Sequence, residues 1–140
     1  MLAEELKSMN IKQLGELAAK LRGELISGVR AGGGHLASNL GVVELTLALY
    51  KVFDFPKDKL IFDVGHQSYV HKLLTGRSLD TLRTQGGTGG FPDPAESGYD
   101  AFVAGHSGTS VAAGIGYCNA RDLRGESYKV ISLIGDASLG

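Results

Sequence analysis

Apolar side chains recur with helical spacing at Ile11, Leu14, Leu17, Leu21, Leu25 and Val29. This stripe predicts one long amphipathic helix, opened by Asn10 as N-cap and closed by Gly32-Gly33-Gly34. A second helix is predicted over 40–53, with Ser38 and Asn39 as capping candidates and Pro56 beyond its end. It is apolar around most of its circumference and is expected to be well buried. The run LIFDV at 60–64 is short, apolar and bounded by charge and glycine, which suits an inner parallel strand. Residues 69–74 read as helix, 78–83 as a short helix, and the GGTGGFPDP of 86–94 as loop. AFVA at 101–104 reads as a strand end. Residues 109–123 read as a helix in which Ala112, Ala113, Gly114 and Gly116 permit close packing, and KVISLI at 129–134 as a second inner strand. Helices alternating with apolar strands imply an α/β fold: a parallel sheet flanked by helices.

In such sheets ligands sit beyond the carboxyl ends of the strands. The polar residues at those ends are therefore the candidates: Gly65-His66-Gln67 after LIFDV, Gly105-His106-Ser107 after AFVA, and Gly135-Asp136-Ala137-Ser138 after KVISLI. A glycine turn before a helix presents backbone N–H groups to an anion such as phosphate. A carboxylate beside a phosphate is repulsive unless a divalent cation lies between them, so Asp136 is suited to give one oxygen to Mg²⁺. Each residue also has a plainer reading. A strand-end Asp serves as a helix N-cap, His66 and His106 as structural histidines, and His35 as a residue of the helix end.

Composition narrows the partners. A net charge of −1 and no Lys/Arg run give no basic surface for nucleic acid and none for an anionic membrane. The most weakly polar stretch, 111–118, is too short to cross a bilayer, and the N-terminus lacks a signal-peptide pattern, so a cytoplasmic location is expected. The single Cys118 has no metal-spaced partners and is expected to fill core. Glycine stands out at 21 of 140 residues, against about 7% in average usage. These glycines cluster at predicted element ends, where they supply turns or close backbone approach.

Other motifs fail. There is no G-x-x-x-x-G-K-[ST] loop, and in the stretch from Gly114 the last glycine of a dinucleotide fingerprint is replaced by Asn119. His66 and His71 are five apart, not the four of a helical zinc pair, and His71 is read as structural. Gly105-His106-Ser107-Gly108-Thr109 imitates a hydrolase nucleophile elbow, but Thr109 stands where glycine is needed and no histidine follows His106.

Three long segments carry a resemblance: GGGHLASNLGVVELTLALYKVFDFPKDKLIFDVGHQSYVHKLLTGR (32–77), FPDPAESGYDAFVAGHSGTS (91–110) and KVISLIGDAS (129–138). In order and wording they resemble the amino-terminal part of the 1-deoxy-D-xylulose-5-phosphate synthases, a family in the transketolase-like group of thiamine diphosphate enzymes. The resemblance implies a thiamine diphosphate-binding fold, with 1–140 the amino-terminal part of its diphosphate-binding domain and the pyrimidine-binding and C-terminal domains absent. It implies decarboxylative condensation of pyruvate with D-glyceraldehyde 3-phosphate to 1-deoxy-D-xylulose 5-phosphate and CO₂, the entry to isoprenoid, thiamine and pyridoxal synthesis. Thiamine diphosphate and Mg²⁺ are the implied cofactors, and a homodimer the implied complete enzyme.

Residue by residue, the resemblance makes Asp136 the metal ligand. It makes His66, Gly105, His106, Ser107, Ala137 and Ser138 cofactor contacts, and His35 and His66 catalytic, with His35 on the substrate side. Two departures stand out. The family usually has Gly-Asp-Gly where this chain has Gly135-Asp136-Ala137; a requirement for positive φ at 137 would cost Ala about 1 kcal/mol. The chain also stops before the asparagine that completes the family's metal site and before its activating glutamate. A fragment inactive alone is therefore expected, with poor solubility from faces meant for missing parts. The alternatives are an amino-terminal transketolase subunit and a non-catalytic remnant serving as a binding or assembly module.

Overall fold

Asn10 opens the longest helix, as its place before the apolar stripe predicts. In a computed structural model, which describes residues 2–138, a short helix α1 (Leu2–Glu5) and a 3₁₀ turn (Leu6–Ser8) lead into α2 (Ile11–Gly32). Asn10 Oδ1 accepts from Gln13 N at 3.0 Å, and Gln13 Oε1 accepts from Asn10 N at 2.8 Å. Two otherwise orphaned donors are thus satisfied reciprocally. Leu17, Ala18, Leu21 and Leu25 are buried along the stripe, whereas its first member, Ile11, is 85% exposed.

The described residues form two units. The first joins residues through Val52 with His66–Gly90, and the second joins Phe53–Gly65 with residues from Phe91 onward. In the first unit the predicted second helix is two helices, α3 (Leu36–Leu40) and α4 (Val43–Val52), separated by a turn at Gly41-Val42. The break follows from Asn39, which does not cap a helix but turns its amide inward (below). Only one face of α4 is buried, through Val43, Thr46, Leu47 and Tyr50; Leu45 faces outward and Val52 is 69% exposed. The expectation of a well-buried helix thus fails: among the described residues α2, α5 and the 3₁₀ turn cover α4, and Leu45 and Val52 stay exposed. An apolar groove of about 580 Å³ runs between α2 and α4, lined by Leu14, Ala18, Leu47 and Val52 among others.

Arg22 of α2 donates to Leu40 O at 2.7 Å and forks onto the Glu44 carboxylate at 2.6–2.7 Å. That guanidinium holds the Glu44 carboxyl below its ordinary range. Helix α5 (Tyr69–Leu74) packs on α2 and α4, and its His71 meets Tyr50 Oη at 2.7 Å through Nδ1, as befits a structural histidine. The expected helix at 78–83 is instead a series of turns. Leu79 and Leu82 are buried as a helix would bury them, but Arg83 has a left-handed φ of 61° and its N–H donates to Thr88 O at 2.7 Å.

Lys51 ties the N-terminal segment to α4. Its ammonium donates to the carbonyls of Lys7 and Met9, at 2.5 and 2.8 Å, with Leu6 O at 3.5 Å. Charge-assisted bonds of this kind contribute about 1.5–3 kcal/mol. Lys51→Met keeps the aliphatic stem and removes the donors. It is expected to raise amide exchange tenfold or more across residues 2–9 while leaving α5 protected; unchanged exchange there would show the ammonium to be dispensable.

In the second unit β1 (Lys59–Phe62) and β2 (Val130–Leu133) pair in parallel, Lys59 opposite Val130 and Phe62 opposite Leu133. Asp63 N extends the ladder by donating to Leu133 O at 2.8 Å. Helix α6 (Thr109–Arg124) packs on both strands. Of its two glycines Gly114 makes the predicted close approach, since a Cβ there would lie 3.1 Å from Ser132 Oγ, whereas nothing lies within 4 Å of one at Gly116. Cys118 is half-buried rather than core filler, because it lies on a flank of α6. Residues 101–104 join no strand ladder among the described residues. The Ala101 carbonyl is satisfied by the Tyr117 hydroxyl instead. The predicted α/β plan of a parallel sheet with flanking helix holds, over two strands rather than three.

Candidate functional site

The candidate residues fall into two groups, one in each unit. In the first, the turn Gly33-Gly34 delivers His35 to the N-terminal position of α3. Gly34 has φ 125°, and a Cβ on it would lie 2.6 Å from the Tyr69 hydroxyl, so only glycine fits between that phenol and the turn. The His35 ring is exposed and that of His66 half-buried, with centroids 5.2 Å apart at an interplanar angle of 71°. Two histidines distant in sequence thus stand edge to face.

Asn39 holds that arrangement. It is 0% exposed; its Nδ2 donates to His35 O at 2.5 Å and to His66 O at 2.8 Å, and its Oδ1 accepts from Tyr69 N at 2.8 Å. The sequence reading treated Asn39 as a cap and left Tyr69 without a role. No local pattern distinguishes an asparagine that caps its own helix from one that bridges to a segment 27 residues away.

In the second unit, Asp63 was read only as part of a strand. It lies one residue beyond β1, is 1% exposed, and accepts from Gly108 N through Oδ1 at 3.0 Å and from Ser110 N through Oδ2 at 3.1 Å. It is the N-terminal cap of α6, supplied from 47 residues away. The expectation that the first turn of this helix offers its N–H groups to a ligand phosphate is corrected for these two donors, because an internal carboxylate already occupies them. Gly105, His106 and Ser107 precede that turn and are exposed. Thr109, which breaks the hydrolase pattern, is the first residue of α6, and its hydroxyl donates to His106 O at 3.2 Å.

Asp136 opens a 3₁₀ turn, Asp136–Ser138, directly after β2, with its side chain exposed. Ser138 N donates to Gly135 O at 2.9 Å. Ala137 does not have a positive φ; among the described non-glycine residues only Val64 and Arg83 do. The strain expected of alanine at this position is therefore absent: the backbone takes an ordinary right-handed turn that a Cβ tolerates. Among the described residues no three His, Cys, Asp or Glu side chains cluster as a metal site. An exposed carboxylate at a strand end fits as one oxygen ligand of Mg²⁺, with the other ligands to come from elsewhere.

The family model for 1-deoxy-D-xylulose-5-phosphate synthase matches residues 2–140. The chain belongs to the 1-deoxy-D-xylulose-5-phosphate synthase family. It is 56% identical over 138 residues to the synthase of Dictyoglomus turgidum, 97% of this chain and 22% of that relative. It is likewise 56% identical over 139 residues to the synthase of Pelotomaculum thermopropionicum, and over 137 residues to synthase 1 of Geobacter metallireducens. The chain spans about a fifth of the length of these relatives. The match falls on the synthase family rather than the transketolase alternative, and that family is one of transferases. No helix among the described residues is long and apolar enough to cross a membrane.

Proposed function

We propose that this chain is the amino-terminal part of the diphosphate-binding domain of a synthase that condenses pyruvate with D-glyceraldehyde 3-phosphate to 1-deoxy-D-xylulose 5-phosphate and CO₂. The observation that carries the reading is 56% identity sustained over 97% of the chain. In this proposal thiamine diphosphate supplies the electron sink for decarboxylation. Asp136 gives one oxygen to the Mg²⁺ that neutralises the diphosphate, with Ala137 and Ser138 beside it. Gly105, His106, Ser107 and His66 contact the cofactor. His35, exposed at its turn, faces the substrate, where its imidazole donates or takes a proton at the substrate oxygen. The complete enzyme is proposed to be a cytoplasmic homodimer, and this chain inactive by itself, because Asp136 alone is not a metal site.

A chimera tests this. The corresponding amino-terminal segment of the Dictyoglomus turgidum synthase is replaced by this chain, and CO₂ release is followed with both substrates, with and without thiamine diphosphate and Mg²⁺. Turnover dependent on both cofactors, reduced at least a hundredfold by Asp136→Ala, is expected. A folded chimera that binds substrates yet never releases CO₂ would overturn the proposal and favour the non-catalytic module.

A further inference from the structure

We infer that Asn39 is a positioning residue that sets the two candidate histidines against each other; the inference rests on the reading of His35 and His66 as site residues. Its side chain has two donor hydrogens and one principal acceptor oxygen. All are engaged, and their partners are few and specific: the carbonyl of His35, the carbonyl of His66, and the N–H of Tyr69. Tyr69 acts on the same place from the other side, since its hydroxyl sits against Gly34, the residue before His35. Every contact of this amide therefore bears on one of the two histidine-bearing turns.

The geometry needs an amide. His35 and His66 enter from different segments, and backbone carbonyls do not bond to one another; a donor must stand between them. A side chain with two N–H groups on one nitrogen spans both carbonyls, and with the Asn39 side chain 0% exposed its donors have these carbonyls rather than bulk water as partners. The rings ride on the residues whose carbonyls are fixed, so the clamp sets their 5.2 Å spacing. Asn39 bonds to the backbone of these residues rather than to substrate or reacting atoms, and is not a catalytic residue.

Asn39→Asp is the sharpest test, because it keeps the shape and the acceptor for Tyr69 N–H but turns a carboxylate oxygen toward two carbonyl oxygens. The chain, labelled at its histidines, is examined by NMR, with Asn39→Ser as a second variant of smaller volume. The wild type is expected to show a proton cross-peak between the His35 and His66 rings. In either variant this peak is expected to fall at least threefold and both rings to titrate differently, while the His71 and His106 signals and titrations stay in place. Unchanged contact and titration of His35 and His66 in a folded variant would overturn the inference. So would loss of the His71 signal in both variants, which would make Asn39 a support of the whole unit. Because the measurement uses no turnover, a silent chimera with the ring contact intact counts against the catalytic reading of the histidines and leaves the clamp standing.

Discussion

Asp63→Ala is expected to cost about 3 kcal/mol and to fray the first turn of α6. Two backbone N–H groups, of Gly108 and Ser110, end on this one buried carboxylate. Hydrogen bonds to a charged group contribute about 1.5–3 kcal/mol, and an N-cap about 0.5–2 kcal/mol. The positive end of a 16-residue helix adds to the attraction. Alanine removes the acceptor of both and leaves the buried Ser110 N–H without it, while Gly108 is exposed and can turn to water. Asp63→Asn separates the contributions: it retains one acceptor but turns an NH₂ group toward the other N–H, so its cost is expected to lie near half. Urea denaturation reads the totals, and amide exchange at Gly108 and Ser110 locates them. A loss below about 0.5 kcal/mol for Ala would mean that the carboxylate is not holding the helix.

A comparable loss, about 3–4 kcal/mol, is expected for Gly65→Ala. Gly65 has φ 92°, and a Cβ on it would lie 2.6 Å from Cδ of Pro92. The left-handed conformation alone costs a Cβ-bearing residue about 1–2 kcal/mol. The contact adds to this, because a proline ring cannot swing aside as the end of a flexible chain would. The preceding Val64 is already left-handed at φ 59°, an outlier for a β-branched residue. Two such residues in succession reverse the chain between β1 and His66, and an alanine in the second position forces the turn to open. The same denaturation series checks this. If the variant is nearly as stable as the parent, the Pro92 segment yields more readily than its burial suggests.

The legible parts of this fold are those whose signal is local and repeated. The stripe of α2 recurs often enough to average out Ile11, which turned out to face water, and Asn10 announces itself within three residues through Gln13. Residues 69–74 were likewise readable as helix, and 130–133 as strand from the β-branched Val130 and Ile131 in an apolar run. Short segments misled. The leucines at 79 and 82 have helical spacing and are buried, yet Arg83 turns left-handed and its N–H goes to Thr88 O instead of back along a helix. AFVA is extended in character, but its partner is the side chain of Tyr117. At the site, the sequence offered the residues proposed to meet a ligand and not those that hold them. His35 and His66 are conspicuous at glycine turns, whereas Asn39 and Asp63 do their work across 27 and 47 residues. Nothing adjacent to them in the chain records where their partners are.

The interleaving of the two units bears on how the chain emerges from a ribosome. It passes from one unit to the other after Val52, after Gly65 and after Gly90, so no single peptide bond divides them. Strand β1, with Leu60, Ile61 and Phe62 all destined for the interior, is made about 70 residues before Val130, the partner of Lys59. At roughly 5–20 residues per second that is an interval of about 4–14 s. During it all the pieces of the first unit, which end at Gly90, are available, while three adjacent apolar residues wait for β2. Nascent chains halted before Val130 should therefore be the ones that chaperones retain.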